Sequence, residues 1–443
     1  MTRPSGWSAV FAMTLCVAVL IASEFMPISL LTPIAAGLHM TEGRAGQAIA
    51  VSGLFALVTS LVISSTTRGI DRRVVLLSLT ALMMVSGVMV ALAPNVGVFM
   101  AGRALVGVVI GGFWSMSAAT VMRLVPEADV PRALGLLNGG NALAATVAAP
   151  LGSFLGQYVG WRGAFFTVVP LAALTFGWLF ATLPSMPSAR GAGGGSAFRI
   201  LRQRHVPLGM LAVTLLFLGQ FALFTYLRPF LETVTRVNVS TLSLLLLITG
   251  AAGLMGTWLI GVALRSRLYR LLIAMPLAMA VIAVALTLFG GAPIVVGVLL
   301  AGWGLIGTAA PVAWWTWVTR TMPNDAEEGG GLMVAVIQLG ITIGATIGGL
   351  VFDASGVGAT FLSSAGILVL AGAVAFAASH VDYVGVPHGV RGSSRNGRAP
   401  RDQDVGCSHH LAVAADAALE ENDAPRNRAT VARQIRGAEG SPR

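Results

Sequence analysis

Long apolar runs separated by short polar breaks fill most of the chain. A helix rising 1.5 Å per residue needs about 20 mostly apolar residues to cross a hydrocarbon core of about 30 Å. Runs of that length predict twelve spans, near residues 8–33, 46–66, 74–93, 97–119, 133–157, 163–182, 207–229, 240–264, 270–290, 293–317, 331–352 and 357–379. The first is longer than a signal peptide's apolar region and no small-residue cleavage site follows it, so it is read as a span. The longest internal polar stretch, 183–206, holds Pro184, Pro187, the run GAGGGS (191–196) and four arginines, the composition of a flexible linker. The expected fold class is an all-α membrane protein with twelve transmembrane helices in two pseudo-symmetric six-helix bundles. One bundle covers 1–182 and the other 207–381. A tail over 382–443 has nine arginines, eight acids and too little apolar content for a core.

An internal repeat supports this division. Shifted by 196–198 residues, Glu24-Phe25 falls on Gln220-Phe221, Thr32-Pro33 on Arg228-Pro229, and Arg68 and Arg73 on Arg265 and Arg270. VMRLVP (121–126) falls on VTRTMP (318–323), Asn141 on Gln338, and GWRGAF (160–165) on GVGATF (356–361). AGRALVG (101–107) resembles AGWGLIG (301–307) at a shift of 200 instead, which pairs Arg103 with Trp303. Halves with an even number of spans enter and leave on the same side, so they are parallel repeats with a central site between them.

Composition narrows the class further. The chain is 56% hydrophobic and 10% charged, which no water-soluble globule could hide, so a cytosolic enzyme is excluded. Every basic residue is an arginine. With the N-terminus inside, fourteen arginines fall in cytoplasmic loops and four (Arg44, Arg162, Arg228, Arg236) in the opposite ones. That bias puts both termini in the cytoplasm of a bacterial inner (plasma) membrane and accounts for the +10 charge without nucleic acid. Cys16 and Cys407 imply no disulfide framework, and His409-His410 beside Cys407 lack ligand spacing, so no metal is expected. The chain is expected to be a monomer whose partners are lipid, protons and a small molecule.

Two charges lie deep in the spans. Glu24 is the one acid so placed and Arg103 the one arginine, at similar depth. An isolated charge there costs at least several kcal/mol, so such groups are paired, hydrated in a cavity or neutralised. A structural ion pair is one reading. The favoured reading is a proton-coupling site whose charge state changes as its exposure alternates. Pro27 and Pro33 follow on the same span, and each frees the carbonyl four residues back, those of Ser23 and Ser29. Trp114 and Trp303, beside glycines, can offer flat walls, whereas Trp314, Trp315 and Trp317 fit an interfacial belt. Asn138, Asn141, Gln220, Tyr226 and Gln338 add uncharged hydrogen-bonding groups. Amides with aromatic faces, and no cluster of cations or acids, suit a neutral flat molecule such as a base or nucleoside. A sugar or an aromatic drug also fits.

These motifs resemble the major facilitator superfamily. Arg103 with Gly107 is similar to its fourth-helix arginine motif, and RGIDRR (68–73) to its loop between helices two and three, lacking the usual flanking glycines. APLGSFLG (149–156) resembles the proline–glycine motif of the antiporter branch. WSAVF (7–11), SLLTP (29–33), FWSMSAATVMRLVP (113–126), GQFALFTYLRP (219–229), TWVTR (316–320) and VAVIQL (334–339) are similar to the purine ribonucleoside efflux branch. The resemblance implies export of inosine- or guanosine-like nucleosides in exchange for protons, with no cofactor. It also implies conformational gating by Asp71, Arg72 and Arg73, by Pro150 and Gly152, and by the kink at Pro27.

Overall fold

The computed structural model describes residues 6–67, 69–187, 201–203, 206–322 and 326–384. The expectations for Arg68, for most of the linker and for the tail from 385 onward lie outside these residues. The described chain is helical throughout: α1 (Gly6–Ser29), α2 (Leu31–Gly37), α3 (Glu42–Thr66), α4 (Arg72–Ala91), α5 (Val96–Leu124), α6 (Val130–Phe166), α7 (Val168–Thr182), α8 (Val206–Phe224), α9 (Leu227–Thr233), α10 (Val239–Phe289), α11 (Pro293–Thr321) and α12 (Ala326–Val384). Ten stretches are apolar and long enough to cross a membrane, and two of them, of 56 and 52 residues, exceed what one crossing needs. The protein is an all-α, multi-span membrane protein.

The direction of neighbouring segments shows where the long helices turn back. Thr14 and Ser29 of α1, and Leu30 just after it, lie beside Gly140, Gly152 and Gly156 of α6, so the two run in the same direction. After Gly160 the chain reverses, and the Trp178 indole donates to Ser8 Oγ at 3.1 Å. α12 first runs with α8, with Gly340, Gly344 and Gly348 beside Thr214, Leu218 and Ala222. After Gly356 it runs against α8, because Ser364 Oγ donates to the Gly219 carbonyl and Phe361 packs on Phe230. Gly160 (φ 68°, ψ 169°) and Gly356 (φ 80°, ψ −179°) mark the two reversals, in a region essentially restricted to glycine. α10 behaves likewise without a glycine. Its residues Leu245, Thr249 and Gly256 track Gly297, Gly304 and Leu305 of α11 in parallel, and Ile282 and Met279 then track Gly302 and Gly307 in the opposite sense. The chain thus reverses between the spans expected to end near 264 and to begin near 270.

The repeat is present in the backbone itself. Gly160 and Gly356 are 196 residues apart. His39 (φ 53°) and Arg236 (φ 56°), the two non-glycine residues of positive φ among the described residues, are 197 apart. So are the helix caps that follow them, Thr41 accepting from the Arg44 N–H and Asn238 accepting from the Thr241 N–H. Gly107 lies against the Ser52 carbonyl, and 197 residues on Gly304 lies against that of Thr249. This contact corrects the register of α11: Arg103 corresponds to Leu300, and the pairing with Trp303 does not hold.

Buried apolar side chains form two clusters. One runs from Ala9 to Met186, joined by Tyr226. The other runs from Val206 to Ala375, joined by Ile28, Ile49, Ala50 and Ala149. Phe25 packs against both.

Candidate functional site

The two prolines of the first span decide where its polar groups go. Pro27 lacks the N–H that would bond the Ser23 carbonyl, and Arg103 Nη1 donates to that carbonyl at 2.8 Å. Pro33 leaves the Ser29 carbonyl free in the same way, and it accepts from Arg228 Nη1. Each broken helical bond is thus replaced by a buried guanidinium. Arg103, fully buried, also donates from Nε to the Ala48 carbonyl (3.3 Å) and from Nη2 to the Glu24 carbonyl (3.3 Å) and Ser52 Oγ (3.2 Å). Arg228 is further paired with Glu232 at 2.7 Å.

The alternative reading, a structural ion pair of Arg103 with Glu24, is not what forms; the bond of Arg103 to Glu24 is to the backbone, and its charge acts on the carboxylate through space. The Glu24 carboxylate instead lies near the Gln338 side chain, one group from each repeat. Glu24 is half-buried and Gln338 is buried. Beside them Phe25 stacks on Phe221, with centroids 6.2 Å apart and planes 26° from parallel, again one ring from each repeat. Gln220 lies against Gly307, where a Cβ would meet its Nε2 at 2.8 Å. Its Oε1 is buried and has no partner.

Glu24 and Gln338 thus meet beside the phenylalanine pair between the repeats, Gln220 lies against α11 of its own repeat, and other expected residues do not join them. Trp303 is 1% exposed inside the second apolar cluster, with an unpartnered indole N–H, so it does not face an open space. Tyr226 is also buried. Its hydroxyl donates to the Ala345 carbonyl at 2.9 Å and meets the Gly43 carbonyl at 3.4 Å, and its ring stacks on Phe352. It closes one end of the seam. Asn138 is exposed and bonds the Leu134 carbonyl of its own helix, while Asn141 and Trp114 are half-buried. Trp314 and Trp317 are buried edge-to-face, which leaves only Trp315 exposed for an interfacial belt. Pro150 and Gly152 are buried in α6, and a Cβ on Gly152 would meet Ser29 Oγ at 2.6 Å, so this motif serves close packing of α1 on α6.

The Asp71 loop grips the start of the linker. Asp71 caps α4 by accepting the Arg73 N–H at 2.8 Å, and it also accepts the Met186 N–H at 2.9 Å and the Ser185 hydroxyl. Burial pulls its carboxyl upward, but those donors and the Arg73 charge outweigh it and hold the carboxyl below the usual carboxylate range. The Arg72 N–H donates to the Met186 carbonyl, and Arg73 reaches the Phe180 carbonyl while lying over its ring.

Contacts between the repeats concentrate at the end opposite this loop. Asp353 of α12 accepts from Thr41 Oγ1 at 2.6 Å and from the Gly43 N–H at 3.0 Å, so it caps α3 from the other repeat. The Arg228–Ser29 bond and Tyr226 belong to the same clasp. Midway, Thr146 Oγ1 donates to the Gly250 carbonyl at 3.2 Å. At the other ends of these helices, a Cβ built on Gly135 or Gly139 of α6 or on Gly331 of α12 would meet open space. Sequence reasoning missed the clasp because Thr41 and Asp353 are 312 residues apart with no local signal. It missed the phenylalanine pair although the repeated EF and QF dipeptides carried it.

The Major Facilitator Superfamily profile matches residues 13–332. Over 373 residues the chain is 58% identical to the transcription regulatory protein OpdE of Pseudomonas aeruginosa, spanning 83% of this chain and 93% of that one. Over 369 residues it is 41% identical to the purine ribonucleoside efflux pump NepI of Escherichia coli K12, with the same two coverages. The crystal structure of the nucleoside transporter NupG superposes with a TM-score of 0.70 at 12% identity, over 84% of this chain and 99% of that one, a likeness of fold alone. A helical protein broken by paired prolines, repeating itself every 196–197 residues and matching this profile over most of its length, belongs to the major facilitator superfamily and is a multi-pass secondary transporter, not an enzyme.

Proposed function

We propose that the protein exports purine ribonucleosides in exchange for protons. The observation that carries this reading is the Glu24 carboxylate. It is half-buried between the repeats and near Gln338, and it is not tied up in an ion pair because Arg103 is held by carbonyls. Such a carboxyl is free to take up and release a proton when its exposure changes. The 41% identity to a purine ribonucleoside efflux pump supports the cargo.

In this reading the chain crosses a bacterial inner membrane twelve times as two six-helix bundles, 1–182 and 207–381, with both termini in the cytoplasm and 183–206 as the cytoplasmic linker. The clasped end then faces out and the open end in. Cargo binds as a monomer's single central ligand, near Glu24, Gln220 and Gln338, and transport is a rocking of one bundle on the other. The test is uptake of labelled inosine into everted vesicles with an imposed proton gradient. Gradient-dependent accumulation is the expected result. Flux of a sugar or a drug without inosine would favour an exporter of those instead. A second reading, a membrane sensor, draws on the name of the 58% identical relative; inosine binding without flux would favour it.

A further inference from the structure

The proposed function leaves open what holds the cargo's ring. Tryptophan walls were expected from the sequence, yet Trp303 is enclosed in the core. The nearly parallel aromatic faces at the seam are Phe25 and Phe221, stacked at 6.2 Å. Phe217 and Phe224 back Phe221 at 6.5 and 6.3 Å, so that ring is braced from its own repeat. A flat ring held between the two would stack on one face from each repeat. Because the rings belong to different repeats, relative motion of the repeats changes their separation. The adjacent Gln220 supplies a buried carbonyl with no donor. Its orientation is set by Gly307, the side that its Nε2 occupies.

We infer that Phe25 and Phe221 form a clamp for a planar heterocycle, and that Gln220 Oε1 accepts a hydrogen bond from an N–H on the heterocycle's edge. This rests on the proposed function and adds the residues that select flat cargo over sugars. The clamp joins the two repeats through the cargo.

The test compares Phe25→Leu, Phe221→Leu, Phe25→Trp and Gln220→Leu with the unaltered full-length protein in everted vesicles. Labelled inosine is the cargo, and hypoxanthine, ribose and a neutral coumarin are competitors. Removing one stacking face is expected to raise the KM for inosine about 10-fold, with a smaller effect on maximal rate. Phe25→Trp, which keeps a face, is expected to restore it. Hypoxanthine is expected to lose potency in the leucine variants and ribose to compete in none. Gln220→Leu is expected to raise KM for inosine and leave coumarin competition unchanged. Inosine flux with KM unchanged in both phenylalanine-to-leucine variants would overturn the clamp and leave the transport reading standing. Coumarin flux without inosine flux would overturn the purine reading and support the clamp if the leucine variants raise its KM. Flux of ribose alone would overturn both.

Discussion

At the scale of single residues, the first span shows how a proline and an arginine can be one device. Pro27 removes a helical hydrogen bond, which alone would leave the Ser23 carbonyl unsatisfied in an apolar interior; Arg103 answers it. A charged hydrogen bond of this kind contributes about 1.5–3 kcal/mol. Arg103→Met is therefore expected to lower unfolding stability in detergent by several kcal/mol. Adding Pro27→Ala restores an N–H to the Ser23 carbonyl and is expected to recover about 1–3 kcal/mol of that loss; strict additivity in the double-mutant cycle would show that the two residues are independent. Glu24 has a different role. Glu24→Gln keeps a hydrogen-bonding group for Gln338 but cannot exchange a proton. It is expected to abolish proton-driven inosine accumulation while exchange of inosine down its own gradient continues. Accumulation at the unaltered rate would remove Glu24 from the coupling.

Among the helices, the chemistry of the breaks settles how much could be read in advance. Apolar runs of about 20 residues located the spans because length against hydrocarbon thickness is a strong constraint. The break inside the first span was legible from its prolines. The 264–270 break was legible from its polar run, since Arg265, Arg267 and Arg270 separate two apolar stretches although neither glycine nor proline stands between them. Side-chain direction was the least legible. Tryptophan beside glycine fits a cavity wall and a packed core equally well, and only the 197-residue register of the Gly107 and Gly304 contacts places Trp303 in the core. The reversals at Gly160 and Gly356 make a matched pair of predictions. An alanine at either would hold a positive φ with extended ψ, a strain of about 1–3 kcal/mol. Both Gly→Ala variants are expected to lower the detergent unfolding temperature by similar amounts; a neutral result at either would mean that the reversal does not depend on that conformation. The α4 entry offers a pH test. With its carboxyl below the usual range, the stabilisation that Asp71 provides is complete above the ordinary value of about 3.9 and is lost only as pH falls through the lower folded value. Asp71→Asn is thus expected to slow transport while leaving the midpoint of its pH profile between 5.5 and 8 unmoved. A shifted midpoint would assign the profile to this loop.

Across the whole molecule, the repeats meet unequally at their two ends, and that inequality defines the state captured here. The clasp has two parts of different character. The Arg228–Ser29 bond is buried, so opening that end must hand the guanidinium over to Glu232, which already holds its Nε. Asp353 is exposed and bonds the first turn of α3, where carboxylates are favoured by the unpaired N–H groups and the helix dipole. Solvent screening limits its share to about 1 kcal/mol, enough to move a two-state equilibrium about five-fold. Asp353→Ala should therefore bias the protein toward the alternate opening without unfolding it. Spin labels on Glu42→Cys and Ser355→Cys can read the result as a distance distribution in which the longer population grows about five-fold. Thr41→Val, which removes one of the two donors, is expected to have a smaller effect in the same direction. Distances that stay at the clasped value in both variants would place the closing force in the buried Arg228–Ser29 contact, and Arg228→Met would then be required to lengthen them.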